Sequence, residues 1–254
     1  MANKRTERIR QAFGAAAEGY EDSAGVQRIV AETVAKLAAQ RRLGAGARIL
    51  EVGCGTGFLT RHIRAQWADA ELAVSDLAPE MVRQAARNPM LSASFFTMDG
   101  EWPCFEGQWF DLILSSLAFQ WFEDLPAALE RLFALLRPGG SLIFSTMAER
   151  SFAEWRAAHA AQGLTAGTPD YPSLGALRSL AAGYPDGAAF DEDYVVEFGS
   201  ARAFLQHLKG IGATVATEGR IPLSAAQLRR VARVFEEAGA RATYHVGFVR
   251  LTRL

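Results

Sequence analysis

The chain has 254 residues, of which 50% are hydrophobic and 22% are charged, and its formal net charge is -1 at pH 7. This is the composition of a globular protein, and the small net charge argues against nucleic acid as a partner. The sequence contains no apolar run of membrane-spanning length and no secretion signal, so we expect a cytoplasmic protein without a membrane partner. The two cysteines, Cys54 and Cys104, lack metal-ligand spacing and are expected to be free thiols.

The first half of the chain alternates between predicted helices and strands. Residues 3–42 have helical spacing, with a break near Gly19 to Gly25. Apolar runs then predict strands at 48–52, 70–75, 95–98, 110–115 and 141–147, and helices at 58–67, 79–87 and 125–136. Such alternation is typical of right-handed crossovers in a mostly parallel sheet that is covered on both faces.

The second half follows a different pattern. We expect a helix at 151–162, a loop region around Pro169, Pro172 and Pro185, and a strand at 194–198. Two more helices are predicted at 201–209 and 225–238, and a last strand at 243–251. We interpret residues 200–241 as a helical insertion before the last strand of a single domain that spans residues 1–254.

The stretch RILEVGCGTGFLTRH, residues 48–62, carries three glycines directly after a predicted strand. Glycine lets the backbone turn sharply and approach a ligand, and the carboxyl ends of strands in such sheets are ligand sites. A dinucleotide motif needs its third glycine at position 58, which is Phe58. The acid Glu51 would repel a pyrophosphate but suits a cationic ligand, so a nicotinamide dehydrogenase is disfavoured.

Two further acids end predicted strands in register with the glycine turn. Asp76 can accept hydrogen bonds from both hydroxyls of a ribose, and Asp99 can meet the amino group of an adenine. Either acid alone is equally well explained as a turn former at a strand end. Together with the glycine turn they favour a nucleoside that carries a positive centre.

The segments LEVGCGTG, MDGEW and FDLILSSLAFQW resemble the class I S-adenosylmethionine-dependent methyltransferases, and the resemblance covers residues 47–147. It implies an α/β fold, Rossmann-like and doubly wound, whose seven-stranded sheet is mostly parallel with one antiparallel strand. It also implies S-adenosyl-L-methionine as the cofactor, bound by Glu51, Gly53, Cys54, Gly55, Gly57, Asp76, Leu77, Met81, Asp99, Gly100, Ser115 and Ser116.

Segments outside this core are similar to the malonyl-acyl-carrier-protein O-methyltransferases of biotin synthesis. They are FGAAAEGYEDSAGVQ (13–27), LAFQWFEDLPAAL (117–129), FLQHLKGIGATVATEGR (204–220) and TYHVGF (243–248). The resemblance implies methyl transfer to the free carboxylate of a malonyl thioester. One departure is Ser116, where this family leads us to expect Asn. Alternatives are a methyltransferase for another small carboxylate, such as trans-aconitate, and a non-catalytic S-adenosylmethionine-binding protein.

A carboxylate acceptor is already an anion at neutral pH, so no residue is required as a general base. Arg150 and Lys209 are the candidate partners of the acceptor carboxylate, and Tyr20 is expected to close over the methionine end. Each also has a plain structural explanation: Arg150 as a solvated side chain at a helix start, Lys209 as a cation at a helix C-terminus, and Tyr20 as a packing residue. Residues 1–42 and the insertion are expected to form a lid. An acidic carrier protein would dock on basic residues, for which we propose Arg202, Arg229, Arg230 and Arg233.

Overall fold

A single seven-stranded sheet forms the centre of the protein in a computed structural model that describes residues 4–215 and 222–254. Its strands are β1 Arg48–Val52, β2 Glu71–Asp76, β3 Ser94–Thr97, β4 Phe110–Ser115, β5 Leu136–Met147, β6 Ala188–Glu197 and β7 Arg241–Thr252. The spatial order is β3-β2-β1-β4-β5-β7-β6. Strand β7 runs antiparallel to both of its neighbours, and the pairs from β3 to β5 are parallel. The predicted fold class is confirmed.

Ten helices surround this sheet in the described part of the chain. They are α1 Lys4–Ala16, α2 Tyr20–Ser23, α3 Gly25–Ala38, α4 Phe58–Gln66, α5 Pro79–Ala86, α6 Leu125–Ala134, α7 Ala153–Ala160, α8 Leu174–Ala182, α9 Ala201–Gly210 and α10 Ala225–Glu237. Within these described residues, no helix is long and apolar enough to cross a membrane.

Alternate residues of the central strands enter two separate apolar cores, as the two-residue period of a strand requires. In β1, Ile49 joins the core under α3, α4, α7, α9 and α10, whereas Leu50 joins the core under α6 and α8. Both side chains are fully buried. Because both faces are covered, the strands contain continuous apolar runs such as Leu112–Leu114.

The predicted boundaries are wrong in three places. Residues 174–182, assigned to a loop region because of the nearby prolines, form α8. Ser173 caps this helix by accepting a hydrogen bond from the Ala176 N–H, and Leu177 is buried. Strand β6 begins at Ala188 rather than at residue 194, and β5 begins at Leu136 rather than at residue 141. Residues 216–221 of the predicted insertion lie outside the described residues.

The N-terminal helices lie against the end of α9, which carries the segment LKGIGAT. A Cβ on Gly210 would overlap the Ser23 Oγ of α2. A Cβ on Gly212 would lie 3.0 Å from the Phe13 ring of α1, and the backbone φ of Gly212 is +70°. These two glycines therefore let the start of the insertion approach α1 and α2 closely.

Candidate active site

The turn after β1 has a backbone that only glycine adopts easily. Gly53, Gly55 and Gly57 have φ values of +74°, +54° and +94°. A Cβ on Gly53 would overlap that of Ala118, and the Gly53 N–H donates to the Ser75 carbonyl oxygen of β2 (2.8 Å). The turn is therefore held in place by its neighbours, and its backbone faces the carboxyl ends of the strands.

Asp76, the last residue of β2, binds this turn through its carboxylate. Its Oδ2 accepts from the Gly55 N–H (2.9 Å), and its Oδ1 accepts from the Ala78 N–H (2.8 Å). Burial raises the pKa of Asp76 to about 6, although these backbone donors work in the opposite direction. A carboxylate has about four acceptor positions, so about two remain for a ligand.

A cavity lies over the turn and the strand ends, at the edge of the sheet where such folds bind their ligands. Nine of the predicted site residues line it: Tyr20, Gly53, Gly55, Asp76, Leu77, Met81, Asp99, Gly100 and Ser116. They come from α2, the β1 turn, the region after β2 and the segments after β3 and β4. Residues far apart in the sequence thus meet at the edge of the sheet.

Four predicted cofactor residues lie behind this surface and do not line the cavity: Glu51, Cys54, Gly57 and Ser115. Ser115 is buried and donates to the Val52 carbonyl oxygen (2.7 Å). Burial raises the pKa of the Cys54 thiol well above its usual value. Gly57 caps the start of α4. These residues shape the turn from below.

Glu51 is the buried acid of the turn. It is 1% exposed, and its Oε2 has no hydrogen-bond partner among the described residues. Burial raises its pKa to about 8, and the neighbouring Asp76 carboxylate adds to this shift. Glu51 is therefore mostly protonated at neutral pH in this structure, and its unpaired oxygen is available to a donor that enters the turn.

Apolar side chains cover the cavity as a roof, and Tyr20 is the one member of this roof that was predicted from the sequence. Ile9 and Phe13 of α1 line the cavity from above, and Trp121 and Phe122 line it from the segment after β4. The Phe13 and Trp121 rings pack edge to face with centroids 5.4 Å apart. The signal was available in the segments FGAAAEGY and LAFQWF, which carry these aromatic residues.

Arg150 does not line the cavity. Its guanidinium pairs with Asp191 and Asp193 on β6, each at 3.2 Å, and its backbone N–H donates to His245 Nδ1. Strand β6 is the edge strand of the sheet, beyond β7, and β1 lies on the other side of β5. The two aspartates on β6 therefore hold the guanidinium away from β1 and outside the site. The sequence placed Arg150 near the rim of the site, and the structure does not bring it there.

An open, largely apolar cleft adjoins the cavity, and Trp121 lines both spaces. The cleft is bordered by Phe152, Trp155, Tyr171 and, at its outer end, Leu205 and Leu228. Arg8 of α1 is the one charged side chain among its described lining residues. The arrangement suits a long apolar or amphipathic acceptor.

A groove between α9 and α10 lies beside this cleft, because Leu205 and Leu228 line both. Arg202, Lys209 and Arg229 line the groove. Lys209 therefore lies with two of the predicted docking arginines, Arg202 and Arg229. It does not line the cavity, although the sequence predicted that it would bind the acceptor carboxylate. Arg230 and Arg233 are exposed on α10 but do not line the groove.

Comparison with known proteins assigns the family. A family model described as a methyltransferase domain matches residues 23–184. The malonyl-acyl-carrier-protein O-methyltransferase of Magnetococcus marinus is 38% identical over 257 residues, which cover 98% of this chain and 93% of that protein. The chain belongs to the malonyl-acyl-carrier-protein O-methyltransferase family. This confirms the predicted recognition, the predicted class of enzyme and the predicted cofactor, S-adenosylmethionine.

Two other similarities are informative. The biotin biosynthesis bifunctional protein BioCD of Bordetella avium is 48% identical over 241 residues, and this methyltransferase chain spans about half (51%) of its length. The crystal structure of the YcgJ protein from Bacillus subtilis has a TM-score of 0.61 and 12% identity, and the match covers 87% of this chain and 98% of that one. The latter likeness supports the fold alone.

Proposed function

We propose that this methyltransferase transfers a methyl group from S-adenosylmethionine to the free carboxylate of a malonyl group carried on acyl carrier protein, in the cytoplasm. The observation that carries the proposal is that three spaces adjoin one another. The cavity over the glycine turn shares Trp121 with the apolar cleft, and the cleft shares Leu205 and Leu228 with the basic groove. Relatives with this printed activity support the choice of acceptor. The methyl ester formed would enter biotin synthesis.

The residues of the cavity fit the cofactor. Asp76 has acceptor positions left for the two ribose hydroxyls, and Asp99 and Gly100, which also line the cavity, would bind the adenine. Gly53 and Gly55 have no side chain, so they would leave room beside Ser116 for the amino-acid portion of S-adenosylmethionine. When bound, the cofactor supplies an electrophilic methyl group on a sulfonium. The twelve predicted cofactor residues as a set stay a prediction.

The chain's own contribution to the reaction is binding and the exclusion of water. A carboxylate acceptor has lost its proton before it binds, so no side chain has to remove one. Among the described lining residues of the cavity and the cleft there is no histidine that could act as a base. The aromatic roof of Phe13 and Trp121 keeps solvent away from the reacting oxygen, and the walls set the line of attack.

The basic groove is proposed as the docking site of the carrier protein. Acyl carrier proteins are acidic, and Arg202, Lys209 and Arg229 offer three cations at the outer end of the cleft. The apolar part of the prosthetic arm would pass Leu205 and Leu228 towards the cavity. This assigns Lys209 to the carrier side of the acceptor rather than to its carboxylate.

The acceptor is tested by incubating the protein with labelled S-adenosylmethionine and, in parallel, malonyl carrier protein, malonyl coenzyme A and trans-aconitate. We expect label in a base-labile ester, most rapidly on the carrier protein. Label on trans-aconitate alone would replace malonyl with another small carboxylate. Cofactor binding without label in any acceptor would indicate a non-catalytic binding protein.

Docking is tested by charge reversal within the groove. Arg229→Glu should raise the KM for malonyl carrier protein about tenfold and leave that for malonyl coenzyme A unchanged, since only the carrier needs the groove. Arg230→Glu is the matched control, because it makes the same charge change on the same helix outside the groove. Equal effects of the two variants would refute the groove as the docking site.

A further inference from the structure

Three of the five tyrosines of the chain line the cavity or the cleft or lie behind them. Tyr20 lines the cavity, and Tyr171 lines the cleft. Tyr244 of β7 is buried, and the ring of Phe152, itself a cleft residue, packs edge to face against it with centroids 4.9 Å apart. The other two tyrosines, Tyr184 and Tyr194, line neither space.

Helix α9 brings these elements together. His207 Nε2 is hydrogen-bonded to the Tyr244 hydroxyl (2.6 Å), and Gly210, one turn further on, lies against Ser23 of α2, the helix that begins with Tyr20. Burial raises the pKa of Tyr244, and the neighbouring Tyr171 and Tyr20 hydroxyls raise it further. The hydroxyls of Tyr20 and Tyr171 are therefore both neighbours of the same buried group.

Two of the three hydroxyls are free to bind a ligand. The Tyr244 hydroxyl already has His207 as its partner. The Tyr20 and Tyr171 hydroxyls have no hydrogen-bond partner within residues 4–215 and 222–254, although burial keeps both protonated by raising their pKa values. Both residues are half-buried at the walls of the cavity and the cleft, so each hydroxyl can donate to a ligand that enters these spaces.

On the basis of the proposed function, we propose that the hydroxyls of Tyr20 and Tyr171 together hold the acceptor carboxylate, one hydroxyl on each oxygen, at the junction of cavity and cleft. The carboxylate would then sit with its thioester arm in the cleft and its free lone pair towards the cavity. Tyr171 is a new assignment, and Tyr20 gains a defined role at the acceptor.

Neutral donors suit this reaction better than a cation does. The carboxylate loses its charge as the ester forms, so a strong ion pair would stabilise the bound acceptor more than the transition state. Hydroxyl donors orient the oxygen at a smaller cost in rate. The structure agrees with this, since no lysine or arginine is among the described residues that line the cavity, and Arg150 is held by two aspartates.

The test uses Tyr171→Phe and Tyr20→Phe, which remove one hydroxyl and keep the ring, with Tyr184→Phe as the matched control. Loss of a hydrogen bond to a charged group should raise the KM for malonyl thioester about tenfold to a hundredfold in the first two variants and not in the control. The affinity of Tyr171→Phe for S-adenosylmethionine, measured by calorimetry, should stay within about twofold of the native value.

A second readout separates binding of the carboxylate from a general packing effect. With S-adenosylhomocysteine bound, the native protein should prefer the malonyl thioester over its methyl ester, because only the carboxylate accepts both hydroxyls. Tyr171→Phe should lose most of this preference. If the native protein methylates malonyl thioesters but both variants keep the native KM and preference, the hydroxyl pair is refuted. If Arg8→Gln alone removes the preference, the carboxylate is bound by Arg8 instead. If the native protein does not methylate malonyl thioesters at all, the proposed function itself fails.

Discussion

Asp76 should make cofactor binding depend on pH near its own raised pKa. Its carboxylate offers the ribose about two acceptor positions, and protonation turns one of its oxygens into a donor. The pKa is raised to about 6 by burial, so binding of the nucleoside competes with a proton near that pH. Glu51 has a pKa of about 8 and stays protonated throughout the acidic range.

The expected magnitude follows from this pKa. At pH 5, one unit below it, only about a tenth of the molecules carry the Asp76 carboxylate, so affinity should be about tenfold lower than its plateau above pH 7. The raised pKa of Asp76 sets both the direction of the change in affinity and the pH range in which it occurs. An Asp with the usual pKa near 4 would leave the affinity nearly unchanged down to pH 5.

Calorimetric titration with S-adenosylhomocysteine between pH 5 and pH 7 measures this dependence. Asp76→Asn cannot be ionised, so its affinity should be low and should not change over the same range. The histidines are common to both proteins, so a slope due to histidine would remain in the variant. A native affinity that does not change with pH, or equal slopes in the two proteins, would refute the assignment of Asp76.

Three further predictions concern stability. Because the folded state raises the pKa of Glu51 from about 4.5 to about 8, native stability should fall by about 2 to 3 kcal/mol as the pH rises from 6 to 8, and Glu51→Gln should abolish this fall in thermal melts. Gly210→Ala should lower the melting temperature and weaken cofactor binding, because its Cβ would overlap Ser23, whereas Gly19→Ala, which meets no atom within 4 Å, should do neither. Phe235→Ala leaves a cavity in the core under α10 and should cost about 3 to 5 kcal/mol in chemical denaturation; a loss below about 1 kcal/mol would contradict its burial.

The cofactor side of the site could be predicted from sequence because its residues depend on short-range pattern. Gly53 and Gly55 follow a strand directly, and Asp76 and Asp99 follow the next two, so the parallel topology brings them to one edge of the sheet. In such sheets the strand ends converge whatever the helices between them contain. Even so, pattern could not separate the residues that face the cavity from those that lie behind it, such as Ser115 and Cys54.

The acceptor side could not be predicted in the same way, because it depends on packing between distant segments. Arg150 follows β5, and its position in the sequence predicts a place at the rim of the site. The direction of its side chain is decided by Asp191 and Asp193 on β6, and the first half of that strand was predicted to be a loop. Lys209 lies at the end of α9, a helix that was correctly predicted. That it faces the groove rather than the cavity depends on how α9 packs against α10, which the sequence pattern does not give.

The absence of a required base connects the two halves of the site. A methyltransferase for hydroxyls or amines must remove a proton. Among the described residues near this cavity, the acids with raised pKa values are Glu51, which is buried behind the turn, and Asp76, which is hydrogen-bonded to it. An acceptor that arrives as an anion removes this demand, and the remaining task is to orient it without neutralising it. Uncharged donors such as the hydroxyls of Tyr20 and Tyr171 meet that demand, whereas an arginine directed into the cavity would oppose it. On the proposed function, a carboxylate acceptor thus fits both a cavity and a cleft without histidine among their described lining residues and an apolar roof where a charged one would slow the reaction.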